Sequence, residues 1–183
     1  FFFKQKTAYE IVDCDWSSDV CSSDLLTPTL PPMRITRRLE FDAGHRIPNH
    51  TSLCRHLHGH RYAIEVTVSG DVITRSGDAE QGMVADFGSI KALMNKHVVE
   101  PWDHAFLAYA QDREIIAFLS TIPGHRTVLF EAPPTAEHLA QAAMQTLTKA
   151  CAETYGSRIR IEQVRIYETP NCWADALPMT HSA

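Results

Sequence analysis

Apolar residues recur with two different periods along the chain from Met33 onward. Ile35, Leu39, Phe41, Ala43 and His45 share one parity, broken by Arg37, and predict a strand over Met33–His45 with one buried face. His60 to Gly70 predicts a second strand, with Tyr62, Ile64, Val66 and Val68 alternating against Arg61, Glu65 and Thr67. Between them, Arg46 to Leu57 holds Pro48, Asn49 and Ser52 and reads as a loop. After a polar connection from Gly70 to Gly82, Asp86 reads as a helix N-cap. Ile90, Leu93, Met94 and Val98 then fall on one helical face, and Pro101 should stop the helix. A short helix near Asp112 to Leu119 and a strand from Arg126 to Phe130 follow. Pro133-Pro134-Thr135 introduces the longest helix, about Ala136 to Tyr155, which Gly156 ends. Arg158 to Thr169 is a strong strand whose apolar parity slips between Ile161 and Val164, predicting a bulge near Glu162. A short strand from Cys172 to Leu177 closes the chain.

This order predicts an α+β domain in which an antiparallel β-sheet is backed on one face by helices. The exposed sheet edges need cover, and a homo-oligomer would supply it. The length of 183 residues suits one domain, and a net charge of -5 argues against a general nucleic-acid binder. No apolar run approaches the roughly 20 residues of a membrane-spanning helix, so a soluble protein is expected, and cysteines that form no disulfide framework make a reducing, cytoplasmic setting the expectation.

Residues 1–32 read differently. Phe1 to Leu25 shows no sustained periodicity, fails as a signal peptide and resembles a translated sequencing-adapter fragment. Residues 1–32 are therefore expected to be a non-native or disordered extension, with Met33 the natural start and residues 33–183 a single domain. Without Cys14 and Cys21, the remaining Cys54, Cys151 and Cys172 form no disulfide framework. Cys151 shares an apolar helical stripe with Leu139, Ala143 and Leu147 and reads as core, and Cys172 has no evident partner.

His58-Gly59-His60 opens a strand, so both imidazoles point to one side and Gly59 adds no bulk between them. His45 ends the preceding strand on its apolar parity. Three imidazoles can thus converge at one end of a two-stranded ribbon, leaving a fourth zinc position open as in catalytic sites. His50 and His56 read as non-ligands. Cys54 sits on the loop four residues before His58, where it can be a fourth ligand closing a structural site or a thiol beside an open one. Asp103-His104 offers a carboxylate and an imidazole for proton relay, or a plain surface turn. Thr135 suits an N-cap, with Glu137 a first-turn charge. Glu168 shares parity with Val164 and Ile166, and a carboxylate on a buried face needs a partner.

Six motifs, FDAGH, C-x3-H-G-H-x-Y, GMVADF, W-D-H-A-F-L, P-T-A-E and Y-E-T, occur in this order between Met33 and Trp173. The set resembles the 6-pyruvoyl-tetrahydropterin synthase/6-carboxy-5,6,7,8-tetrahydropterin synthase family. The resemblance implies a tunnelling fold, usually a hexamer with active sites at subunit interfaces. It implies one zinc ion per subunit on His45, His58 and His60, Cys54 as catalytic thiol, and Asp103 and His104 as an acid–base pair. It further implies that Glu168 anchors the pterin edge and that Thr135 and Glu137 line the same pocket, although His138 stands where an Asn is common. The substrate implied is 7,8-dihydroneopterin triphosphate, converted to 6-carboxytetrahydropterin, acetaldehyde and triphosphate for queuosine synthesis. The alternatives are the 6-pyruvoyl branch, which eliminates triphosphate without carbon–carbon cleavage, and a non-catalytic zinc module closed by Cys54. Arg46, Arg55 and Arg61 are nearby candidates for the triphosphate, and the stretch 108–132 is longer than in the shortest family members.

Overall fold

The computed structural model describes residues 32–179, so the expectations for residues 1–31 lie outside the described residues. Two long strands, β1 (Met33–His45) and β2 (His58–Gly70), pair antiparallel along their whole length, with Ala43 opposite His60 and His45 opposite His58. β2 begins two residues earlier than its alternation predicts, because His58 already pairs with His45. β5 (Ile159–Thr169) lies antiparallel beside β2, and β6 (Cys172–Ala176) beside β5. The predicted bulge is present. Thr67 pairs with Gln163 and Val68 with Ile161, leaving Glu162 as the extra residue.

The sheet departs from a purely antiparallel one at its other flank. β3 (Ala105–Tyr109) pairs parallel with the end of β1, and β4 (Thr127–Phe130) parallel with β3, giving the order β4-β3-β1-β2-β5-β6. β3 carries no alternation because it is covered on both sides: Ala105 and Leu107 join the main core, and Phe106 and Ala108 a second cluster.

α1 (Phe87–Met94) starts at Asp86, whose carboxylate accepts hydrogen bonds from the Gly88 and Ser89 amides at 2.6 and 3.1 Å. Pro101 does not end this helix. A π-helical stretch, Asn95–Val99, widens the turn, and a last turn, α2 (Glu100–Trp102), accommodates the proline at its start. α3 spans Arg113–Ser120, and α4 spans Ala136–Tyr155, the range that the sequence predicts. α1 and α4 cover one sheet face, burying Ile90, Met94, Leu139, Ala143, Leu147 and Cys151 against Tyr62, Ile64, Val66, Val164 and Ile166. Helices on one face describe this part only. The Ile115 and Leu119 side chains of α3 pack on Phe106 and Ala108, at the opposite face of β3.

Candidate metal centre and acid–base pair

The β1–β2 register carries His45, His58 and His60 to one end of the ribbon, on the helix-covered face. One nitrogen from each ring lies within 4.8 Å of the others. The hairpin permits this because its backbones approach closely at Gly59, where a Cβ would stand 3.0 Å from the Ala43 carbonyl oxygen; at Gly44 a Cβ would instead meet the Phe106 ring of β3 at 2.9 Å.

Two of the rings have a fixed tautomer. His45 Nδ1 lies 2.8 Å from the Pro134 carbonyl and His58 Nδ1 2.8 Å from the His56 carbonyl, so each Nδ1 carries the donated proton. Both Nε2 atoms then face each other as acceptors at 3.0 Å. Two lone pairs at that distance repel unless a cation lies between them. A proton could bridge the pair, but only a metal ion also uses the nearby nitrogen of His60. The residues therefore fit a metal, and backbone carbonyls orient two of the three ligands from behind. Burial pulls His45 down to about 4, with the opposing hydrogen bond that His45 donates to the Pro134 carbonyl, and the charges of His58 and His60, as smaller causes. It is thus a neutral ligand at ordinary pH. Burial and His58 also hold His60 below its ordinary value.

Glu168, at the end of β5, places Oε1 4.0 Å from His45 Nε2. With His45 neutral, this is proximity and not an ion pair. Burial, and then the charge of Glu137, raise the Glu168 carboxyl, with His58 opposing them. Glu137 is held low by a hydrogen bond with Thr135. Thr135 also caps α4, its Oγ1 accepting from the His138 amide at 3.5 Å. Glu168 thus lies beside His45, with Glu137 near enough for its charge to act on it, and Thr135 follows Pro134, whose carbonyl holds His45.

Cys54 sits exposed on a single 3-10 turn, Leu53–Arg55, tied back by the Ile47 amide donating to its carbonyl at 2.8 Å. Its sulfur is not among the converging ligand atoms.

Asp103 and His104 lie just before β3. Asp103 Oδ1 accepts from the Asp42 amide at 2.9 Å, and the His104 amide donates to the Asp42 carbonyl at 2.7 Å. Asp103 Oδ2 holds His104 Nδ1 at 2.9 Å, which leaves Nε2 to accept a proton. The Asp42 amide, followed by His104, keeps the Asp103 carboxyl below its ordinary range. His104 adopts φ 55, a left-handed conformation uncommon for a non-glycine residue. His104, His58 and His60 line one open cleft of about 650 Å³, together with Arg61, Phe106 and His125.

Among the arginines, Arg46 is committed elsewhere. Its guanidinium donates to both oxygens of the buried Asp112 at 2.7 and 2.6 Å, anchoring the start of α3 beside His45. Arg61 is exposed on the cleft wall. The backbone carbonyls of Pro134 and His56, and the Arg46–Asp112 pair, carry no sequence signal that would have found them. Tyr62 shared the parity of His58 and His60 and was legible only as core.

The family model described as 6-pyruvoyl tetrahydropterin synthase matches residues 34–178. A Rickettsia bellii protein named 6-carboxy-5,6,7,8-tetrahydropterin synthase is 35% identical over 143 residues, 78% of this chain and 99% of that protein. A Haemophilus influenzae protein of the same name is 31% identical over 145 residues, 78% of this chain and 96% of its own. In fold, the 6-pyruvoyl tetrahydropterin synthase of Caenorhabditis elegans superimposes with a TM-score of 0.59 at 22% identity, covering 82% of this chain and 99% of that one. A Wolinella succinogenes protein of undescribed function does so with a TM-score of 0.66 at 20% identity, covering 82% and 100%.

Proposed function

The chain belongs to the 6-pyruvoyl tetrahydropterin synthase family, and from that premise we propose that it is a zinc-dependent 6-carboxy-5,6,7,8-tetrahydropterin synthase. It converts 7,8-dihydroneopterin triphosphate to 6-carboxytetrahydropterin, acetaldehyde and triphosphate, a step toward queuosine. The observation that carries this reading is the approach of Glu168 to His45, which sets an acceptor for a pterin edge beside three converging imidazoles.

His45, His58 and His60 would hold the zinc, which supplies a Lewis acid for the substrate side chain. Glu168 receives the pterin amine and ring N–H in two parallel hydrogen bonds, which offset the desolvation of its carboxylate. Thr135 and Glu137 line the same pocket and hold the neighbouring charge in place. Cys54, outside the ligand cluster and at the loop mouth, moves a proton at the side chain. Asp103 keeps His104 Nδ1 protonated, so that His104 Nε2 exchanges a proton with a substrate hydroxyl. The exclusion of the Cys54 sulfur from the converging atoms speaks against a structural zinc module closed by that thiol.

A homo-oligomer, as a hexamer, completes the site in this reading. Between Met33 and Asp42, β1 is paired only with β2 among the described residues, and β6 has an open outer edge. Cytoplasmic placement agrees with the absence, among the described residues, of a helix long and apolar enough to cross a membrane.

The test is product identification with zinc-loaded protein and dihydroneopterin triphosphate. Acetaldehyde with 6-carboxytetrahydropterin is expected. A 6-pyruvoyl product without acetaldehyde would move the chain to the other branch, and no turnover would overturn the reading.

A further inference from the structure

Tyr62 is fully buried on β2, two residues beyond His60, and its hydroxyl has no hydrogen-bond partner among the described residues. A phenylalanine would fill the same space without leaving a buried donor unpaired, so the hydroxyl needs its own explanation. The ring is held from several sides. It stacks on Phe41 at 5.2 Å between centroids and meets His45 and His60 edge-on at 5.8 and 5.4 Å. The β2–β5 ladder pairs Ala63 with Tyr167, the residues adjacent in sequence to Tyr62 and Glu168. Glu168 in turn places Oε1 4.0 Å from His45 Nε2. Tyr62 and Glu168 therefore both adjoin His45, on neighbouring strands.

We propose that Tyr62 is a positioning residue for Glu168: when a pterin binds, the phenol donates a hydrogen bond to the Glu168 carboxylate and fixes its plane. No proton is transferred. The carboxylate keeps its remaining lone pairs for the amine and ring N–H of the ligand. A carboxylate free to rotate would offer that edge one good hydrogen bond where an oriented one offers two. This inference rests on the reading of Glu168 as the pterin anchor.

The experiment compares wild type, Tyr62→Phe, Glu168→Gln and the double variant as zinc-loaded protein. The probe is 7,8-dihydroneopterin, titrated by fluorescence, alongside steady-state kinetics with the triphosphate. Tyr62→Phe should keep its zinc and its melting temperature while Kd for dihydroneopterin rises about fivefold to tenfold, the worth of one hydrogen bond. KM should rise in step, with kcat changing far less. The double variant should bind no more weakly than Glu168→Gln alone, because the hydroxyl acts through the carboxylate. An unchanged Kd in Tyr62→Phe would overturn the assignment. So would additive losses, which would put the hydroxyl on the ligand itself, or loss of zinc, which would assign it to the histidines. Dihydroneopterin carries no triphosphate to eliminate, so its binding reads the Tyr62–Glu168 link even if the proposed turnover fails. A wild type that binds no dihydroneopterin overturns both.

Discussion

The proposed metal centre and the Asp103–His104 pair flank the same stretch of β1, yet they are built in opposite ways. His45 is 1% exposed, neutral through burial and fixed by a backbone carbonyl, and its neighbours come from a hairpin paired through every residue. Asp103 and His104 hang from Asp42 by two hydrogen bonds, with His104 three-quarters exposed and left-handed. Ligands of a metal need fixed distances, which a long ladder and a packed core provide. Groups that exchange protons with a substrate must face an opening, so they sit where the ladder ends. Cys54, exposed on its short turn, shares the open setting of the second kind, as its proposed role requires.

That contrast can be broken most sharply at the ligands. His58→Ala should lose zinc and turnover together, down to background, as read by metal analysis and product assay. Cys54→Ala should retain full zinc occupancy and lose about 10²- to 10⁴-fold in kcat, the range of a missing proton-transfer group. Stoichiometric loss of zinc in that variant would place Cys54 among the ligands and erase the distinction. Asp103→Asn should lower kcat by about 10²-fold with zinc content unchanged, because His104 loses the acceptor that fixes its tautomer.

Smaller effects probe how the two regions are tied together. Asp112→Asn should cost about 2 kcal/mol in chemical denaturation, since part-buried Arg46 is left with only the exposed Glu114 as a charged partner. The hydrogen bonds from Arg46, ahead of its charge, hold the Asp112 carboxyl below its ordinary 3.8. The unfolded chain therefore takes up this proton first. The stabilisation is complete above the ordinary value and is lost as pH falls toward the lowered one, so Asp112→Asn should flatten that part of the acid limb. Asp86→Ala, which removes the cap of the helix leading to Asp103, should cost about 1 kcal/mol and leave kcat nearly intact. A large kcat loss there would show the acid–base pair to be far more sensitive to its scaffold than its exposure suggests.

What could be read in the sequence was whatever repeats locally. Alternation in β1 and β2 located the hairpin and aligned His45, His58 and His60, because strand parity decides which side chains share a face. The Pro-Pro-Thr entry and Gly156 exit bounded α4, and the parity slip at Glu162 located the bulge. Where burial comes from two sides or from distant chain, the periodic signal vanishes. β3 showed no alternation because both its faces are covered, and its parallel pairing joins segments far apart in sequence. Pro101 looked like a stop because a missing amide ends an ordinary α-turn, and only the π-helical stretch made room for it. Arg46 looked free for a phosphate until Asp112, across the fold, took two of its N–H donors in a paired contact.

The sequence by itself determined the convergence of His45, His58 and His60, the ligands of the proposed zinc, since their order and parity suffice to bring three imidazoles together. Only the tertiary structure decided which nitrogen each of His45 and His58 presents, because the Pro134 carbonyl that fixes His45 is supplied by a distant part of the chain. It likewise decided that Glu168 and a buried, unpaired Tyr62 hydroxyl stand at their side, because β5 reaches β2 from nearly a hundred residues away.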